Sequence, residues 1–311
     1  MSRRAVLGLL AALALCGAAR AESYDLDAYG RQCAAAIAEV PEFDCMAGEI
    51  VPITVDGRVP ASYAGVTECD RPAMAPYPEG GECSPWSRAL VLRNDTAQIS
   101  AVCRRAVLRD KDSPLFDEID IVAHSRANGS TCWFKATGTK DKPLDGRRVP
   151  SPTAGGAAAK AFWHTPEQVA ADNCGDCHDS DPFMYSPWIG QTTAFIGDPQ
   201  GQYRNDIGPP FQAWTKPLAL APRGNACIGC HRIGSENTCR VAMLQSTGAM
   251  PIAAQDAWSK LFPQSHWMPA GQGLTAIQWE TTYARSMAEL QRCCEDPHAA
   301  GCYAQPIHEI R

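Results

Sequence analysis

Two copies of one five-residue pattern, Cys174-Gly-Asp-Cys177-His178 and Cys227-Ile-Gly-Cys230-His231, begin 53 residues apart in the chain. In each copy the two thiols are separated by two residues, which brings them to one side of a single turn, and an imidazole follows the second thiol directly. Random placement of 15 cysteines and 7 histidines in 311 residues yields about 0.02 such patterns. The repetition is therefore not a by-product of a cysteine-rich composition.

The chemistry that needs these residues in this order is covalent haem attachment. Two thiols on one turn add to the two vinyl groups of one porphyrin, and the adjacent imidazole then lies beneath the iron. Zinc is the alternative, because it also uses Cys-x-x-Cys pairs with histidine. We expect two covalently attached haem c groups. The predicted attachment residues are Cys174, Cys177, Cys227 and Cys230. The predicted proximal iron ligands are His178 and His231.

The first 21 residues resemble a secretory signal peptide, with Arg3 and Arg4 before an apolar run and Ala19-Arg20-Ala21 as a small-x-small cleavage site. The run is too short to span a bilayer comfortably, and no later segment has 18 consecutive apolar residues. We therefore expect a soluble mature protein with no transmembrane helix.

The route and address of this leader have alternatives. The twin arginines also match the export route for folded proteins, but c-type haem is attached after the chain has crossed the membrane, which favours the general secretory route to the periplasm. Cys16 partly matches a lipoprotein site, although Leu15 stands where a small residue is expected. Lipid anchoring is the minority interpretation.

The charge of the chain restricts its partners. Loss of residues 1–21 removes three of the 28 basic residues and none of the 34 acidic ones, which leaves 25 against 34 and a net charge of −9. An acidic chain without a basic stripe is a poor candidate for binding nucleic acid. It suits a basic redox partner protein, which complementary charge would dock.

The cysteine count supports an oxidising compartment. Without Cys16 and the four predicted attachment residues, ten cysteines remain, and an even number is what a disulfide framework requires. Six precede the first motif and four follow it, which predicts three bridges in an N-terminal domain and two in the haem domain. The ten are Cys33, Cys45, Cys69, Cys83, Cys103, Cys132, Cys239, Cys293, Cys294 and Cys302.

Residues 22–145 are expected to form a cysteine-rich, mostly β domain after a short helix over Tyr29–Val40. Apolar runs on both sides of Asn128-Gly129 predict a β-hairpin. His124 lies in one of these runs and is interpreted as a structural histidine. A linker rich in Pro, Gly and Ala is expected over residues 146–160.

Residues 161–311 are expected to form a mainly α dihaem domain. Thr165-Pro166-Glu167-Gln168 is a helix start with a capping box, and this helix leads into Cys174. Thr275 and Gln278 begin a second helix that extends to Arg292, with apolar residues at three- and four-residue steps. The acidic group of Asp176, Asp179 and Asp181 is interpreted as a solvated loop.

Two haem motifs, a capped helix into the first, and Met268-Pro269 ahead of the terminal helix resemble the class I cytochromes c, in a dihaem form, over about residues 160–311. The resemblance implies a methionine as the sixth iron ligand, and Met268 is the expected distal ligand of the second haem. Met250 and His266 remain alternatives, as does a packing role for Met268.

The first haem has no comparably placed distal residue. His164 is the first candidate, and Met184 and Met243 are the others. The short separation of the motifs predicts that both haems share one compact domain.

The expected fold class is α+β, with a disulfide-stapled, mostly β N-terminal domain followed by a mainly α dihaem cytochrome c-like domain. The expected function is electron transfer between redox partners in the periplasm, as a carrier rather than a catalyst. The alternatives are a dihaem oxidoreductase, in which one haem has an open site for peroxide or a small oxyanion, and a haem-based sensor.

Overall fold

The computed structural model describes residues 24–73, 81–194, 201–229, 232–246, 250–255 and 274–309. Its α-helices are α1 (Leu26–Ala36), α2 (Gly156–Phe162), α3 (Pro166–Ala171), α4 (Met243–Ser246) and α5 (Ala276–Glu295). Its strands are β1 (Glu49–Ile50), β2 (Arg88–Asn94), β3 (Ala97–Arg104), β4 (Leu115–Phe116), β5 (Glu118–Ser125), β6 (Thr131–Thr137), β7 (Leu144–Asp145), β8 (Leu218–Leu220) and β9 (Ala304–Pro306).

An antiparallel sheet of five strands, in the order β1-β2-β3-β5-β6, dominates the N-terminal half. The predicted hairpin is confirmed as β5 and β6. Gly129 in its turn has φ of +74°, and the Asn128 side chain accepts a hydrogen bond from the Ser130 amide at 2.9 Å. A Cβ at Gly129 would lie 2.6 Å from backbone atoms of Gln202. Glycine is therefore needed for both the turn and the contact.

One face of the sheet is apolar and is covered by α1. The Cys33–Cys132 disulfide joins the helix to β6, and the Tyr29 ring packs 5.2 Å from the Phe134 ring between centroids. Asp25 caps α1 by accepting a hydrogen bond from the Ala28 amide at 3.1 Å. The predicted helix exists, but it begins three residues before Tyr29 and ends four residues before Val40.

Side chains from both sides of residues 146–160 pack in one core. This core contains Tyr29 and Phe134 together with Trp163, Phe211 and Ile307. Strand β6 lies at the edge of the sheet, and residues of the C-terminal half cover this edge. The Thr131 amide donates to the Arg204 carbonyl at 3.0 Å, and the His164 amide donates to the Lys135 carbonyl at 2.9 Å.

The prediction of a mainly α C-terminal domain is wrong. Helix makes up 29% of the structure and strand 21%. In the described part of residues 161–309, α3 has six residues and α4 four, and α5 is the one long helix, with 20. The chain between the two motifs contains prolines at 182, 187, 209 and 210, which remove backbone donors and interrupt helices. Its described residues therefore form loops, short 3₁₀ turns and the three-residue strand β8.

The two capping boxes are confirmed. At α3 the Gln168 amide donates to the Thr165 hydroxyl, and at α5 the Gln278 amide donates to the Thr275 hydroxyl, both at 3.3 Å. Within the described ranges, no helix combines the length and the apolar character that crossing a membrane requires.

The prediction of five disulfides, three before the first motif and two after it, is confirmed. The ten cysteines pair as Cys33–Cys132, Cys45–Cys103, Cys69–Cys83, Cys239–Cys294 and Cys293–Cys302.

Candidate functional site

The first motif forms one tight turn at the end of the α3 connection. Residues Cys174–Asp176 are a 3₁₀ turn, entered through Asn173 at φ 50° and ψ 50°, and the His178 amide donates to the Cys174 carbonyl at 2.9 Å. A Cβ at Gly175 would lie 2.8 Å from Trp214 Cε3, so a larger residue would displace the turn from that ring. The two thiols and the imidazole are thus held on one short segment.

The thiols of this turn are left over from the disulfide framework. Cys174 is half-buried and Cys177 is exposed, and neither forms a disulfide within the described ranges. Burial raises the pKa of Cys174 to about 12 and also raises that of Cys177. Two unpaired thiols three positions apart on one turn fit the thioether links to a porphyrin.

His178, the predicted proximal ligand, packs against an aromatic ring and is neutral. Its ring lies 4.8 Å from the Trp133 ring between centroids, and Nδ1 is buried without a hydrogen-bond partner among the described residues. The Tyr203 hydroxyl donates to the His178 carbonyl at 2.7 Å, which holds the backbone in place. Desolvation lowers the pKa of His178 to about 4. The imidazole is therefore neutral at pH 7, which is the form that binds iron.

The wall behind the first motif is the second face of the sheet. Because side chains alternate along a strand, Trp133, His124 and Arg104 all project to this face. Phe183 packs edge-on to His124 at 6.2 Å, and the Trp188 ring lies 5.1 Å from the Arg104 guanidinium carbon. Trp133 and Trp214 contact the first motif itself, and aromatic side chains of this kind would suit the apolar faces of the predicted porphyrin.

Two indole groups on this wall retain hydrogen-bonding capacity. The Nε1 atoms of Trp133 and Trp188 are buried and have no acceptor in the part of the chain that the structure describes. A haem carries propionate oxygens that accept hydrogen bonds, so these donors are compatible with the predicted cofactor.

His124 is buried, and its Nδ1 atom forms a hydrogen bond with the Thr131 hydroxyl at 2.9 Å. Burial lowers the pKa of His124 to about 4.

The second motif begins in the same way as the first. Residues Cys227–Gly229 form a 3₁₀ turn, and the Asn225 side chain accepts a hydrogen bond from the Cys227 amide at 3.0 Å. Helix α5 supports this turn, because the Ala226 amide donates to the Ser286 hydroxyl at 3.0 Å and Cys227 Sγ lies 3.9 Å from Met287 Sδ. Cys230 and His231 lie outside the described residues.

The segments that follow the two motifs are bound to each other. Asp179 accepts hydrogen bonds from the backbone amides of Glu236 at 2.8 Å and Thr238 at 3.1 Å. The Ser180 hydroxyl donates to the Arg232 carbonyl at 3.0 Å, and Arg232 Nε donates to Asp181 Oδ1 at 2.7 Å. Since Asp179 follows the first motif directly in the chain and Arg232 follows the second, these contacts place the segments after the two motifs side by side.

The interpretation of the three aspartates as a solvated loop is wrong. Asp179 and Asp181 are buried, at 4% and 5% exposed, because the segment after the second motif covers them. Asp176 is partly buried and lies 3.5 Å from Arg240. Asp179 and Asp181 accept hydrogen bonds from residues more than 50 positions further along the chain. Their burial therefore could not be predicted from the local acidic sequence.

The candidate distal ligands are distributed unequally. His164 is half-buried, its Nδ1 lacks a hydrogen-bond partner among the described residues, and the charges of Lys135 and Asp172 act on both His164 and Cys174. Met184 is partly buried. Met243 packs instead in the core of the second motif, with Sδ 3.5 Å from Cys294 Sγ. Met268 and His266 lie outside the described residues.

A cluster of charged side chains beside Cys174 was missed by sequence reasoning. It consists of Arg104, Glu118, Asp120, Lys135 and Asp172. The sequence indicated only that acids at positions 118 and 120 alternate on one strand, opposite a lysine across the predicted hairpin. The structure was needed to show that these side chains lie on the face of the sheet that carries the first motif.

Within the described ranges, no group of three or more His, Cys, Asp or Glu side chains is arranged to hold a metal ion. The comparisons with known proteins add no relative: no family model, no curated protein and no solved structure matches this chain.

Proposed function

We propose that the protein is a dihaem c-type cytochrome of the periplasm that carries electrons between redox partner proteins. Here "c-type" refers to covalent attachment, not to a class I fold. The supporting observation is the pairing of two Cys-x-x-Cys-His segments through Asp179, Asp181 and Arg232, with the thiols of the first left out of the disulfide framework. When bound, each haem iron would accept and donate one electron at a time.

The residues of the chain would position and insulate the two haems. Cys174 and Cys177 would form the thioether links to the first haem, and Cys227 and Cys230 those to the second. His178, neutral and packed on Trp133, would bind the first iron from the proximal side. The aromatic side chains near the first motif and the neighbouring segment would restrict water around its iron, and the groups around a metal orient its ligands.

The surface charge supports an encounter with a basic partner. The net charge of the full chain is −6. Complementary charge increases the rate at which redox partners meet, and this increase becomes smaller as the ionic strength rises. Electron transfer to a basic acceptor should therefore slow as salt is added.

Haem content provides the test. Protein produced with the cytochrome c maturation machinery should have the mass of the chain plus two haems. Replacing Cys174 and Cys177 together with serine should remove one haem. Replacing Cys69 and Cys83, which form a disulfide, should leave both haems attached. A homogeneous wild-type product with one haem or none would refute the proposal.

A further inference from the structure

Strand β5 presents two carboxyl groups to the face of the sheet that carries the first motif. Glu118 and Asp120 are two residues apart, so both side chains project to the same side. Arg104 on the neighbouring strand contacts both, with Nε 3.4 Å from Glu118 Oε1 and 3.1 Å from Asp120 Oδ2. The two carboxyl groups therefore share one cation.

A second cation and a third carboxylate complete the cluster. Lys135 Nζ on β6 lies 3.2 Å from Glu118 Oε2 and 3.2 Å from Asp172 Oδ2, just after α3. Three carboxyl groups thus face two fixed cations. With every acid ionised the cluster carries one excess negative charge, and a single bound proton neutralises it.

This cluster lies against the haem attachment turn. Asp172, two residues before Cys174, joins the cluster to this turn through its ion pair with Lys135, and the Lys135 carbonyl accepts a hydrogen bond from the His164 amide at 2.9 Å. Since Cys174 would be bonded to the porphyrin, a charge added to the first haem is added beside these acids.

The pKa values of the two carboxyl groups are shifted in opposite directions. Partial burial, which leaves 29% of the side chain exposed, and then the charge of Glu118 raise the pKa of Asp120. Burial acts in the same direction on Glu118, but Arg104 and Lys135 outweigh it and lower the pKa of Glu118. The Asp120 side chain is 29% exposed, so its proton can exchange with solvent.

We propose that the Glu118–Asp120 pair takes up one proton from solvent when an electron enters the haem at Cys174 and Cys177, and releases it when the electron leaves. The inference rests on the proposed function. The electron comes from a donor protein and reduces the iron by one unit. The proton comes from water and forms the O–H bond of Asp120, so the added negative charge is balanced.

The midpoint potentials of both haems, measured against pH by spectroelectrochemistry, test this inference. One potential should fall as pH rises, by up to about 59 mV for each tenfold change in proton activity. The fall occurs between the pKa of Asp120 in the oxidised protein and its higher pKa in the reduced protein. Below and above that window the potential should be flat.

Three variants separate the cluster from other acids. Asp120→Asn should abolish the dependence and keep the potential near the low-pH value of the wild type. Glu118→Gln should move the window to lower pH, because one of the causes that raise the pKa of Asp120 is removed. Asp141→Asn, at an exposed position on the β6–β7 connection, should behave like the wild type.

Infrared difference spectra give a readout that does not depend on electron transfer to a partner. Reduced-minus-oxidised spectra recorded within that pH window should gain the carbonyl stretch of one protonated carboxyl group, and Asp120→Asn should lack it. Wild-type pH dependence in Asp120→Asn, or no such band in the wild type, would overturn the inference. Protein without covalent haem would refute the proposed function first, whereas two haems with flat potentials would overturn the proton coupling alone.

Discussion

Asp181 and Arg232 form a buried ion pair that joins the segment after the first haem motif to the segment after the second. Arg232 Nε lies 2.7 Å from Asp181 Oδ1, and the two side chains are 6% and 10% exposed. The pair therefore ties the backbone that follows the second motif to the backbone that follows the first.

The Asp181–Arg232 pair should be essential for stability. Asp181→Asn leaves the buried guanidinium without its counter-charge, and breaking a buried pair in this way costs about 3–5 kcal/mol. We expect that loss in the free energy of unfolding from urea titration. Arg285→Ala, at a side chain 92% exposed, should change it by less than about 1 kcal/mol. Equal effects of the two variants would contradict the assigned role.

The stabilisation by each disulfide should increase with the logarithm of the number of residues it encloses. The Cys33–Cys132 bridge spans 99 residues and Cys293–Cys302 spans 9. Loop-closure entropy gives about 4.7 kcal/mol for the first and about 2.6 kcal/mol for the second. Urea unfolding should show a larger loss of stability when Cys33 and Cys132 are both replaced by alanine than when Cys293 and Cys302 are.

Thiol titration of denatured, unreduced haem-loaded protein should detect essentially no free thiol.

Met268 should determine the potential of one haem. Met268→Ala should remove the sulfur-to-iron charge-transfer band and lower the potential of one haem, because thioether ligation favours the reduced iron. Near-infrared magnetic circular dichroism and redox titration would measure both effects. Met250→Ala serves as the matched variant. Loss of the band in Met250→Ala instead would assign the ligand to Met250, and an unchanged spectrum of Met268→Ala would leave it a packing role.

His164 should bind the first iron on its distal side. Burial lowers the pKa of His164, so its imidazole is neutral at pH 7 and available to a metal. With both axial positions filled, reduced wild-type protein should bind little carbon monoxide, whereas His164→Ala should bind about one equivalent. His298→Ala, at an exposed position, is the control. Rapid stoichiometric binding at one haem of the wild type, unaffected by His164→Ala, would favour the oxidoreductase alternative.

The features that short-range sequence determined are those whose physics is local. A capping box needs a hydroxyl and an amide three residues apart, and both Thr165 and Thr275 begin helices as expected. The hairpin turn needs a residue that accepts positive φ, which Gly129 supplies. The 3₁₀ turns at Cys174–Asp176 and Cys227–Gly229 are also local, and counting cysteines was enough to predict five disulfides.

Tertiary structure decided what surrounds those turns. The mainly α domain was an inference from a resemblance, and prolines between the motifs together with contacts to the sheet favour loops instead. Asp179 and Asp181 look solvent-exposed in sequence, but Thr238 and Arg232 bury them through contacts more than 50 residues apart. The pairing of β5 with β3 and β6 brought Glu118 and Asp120 to Arg104 and Lys135. Long-range pairing of this kind decides which acids lose water, and therefore which of them can hold a proton beside the predicted haem.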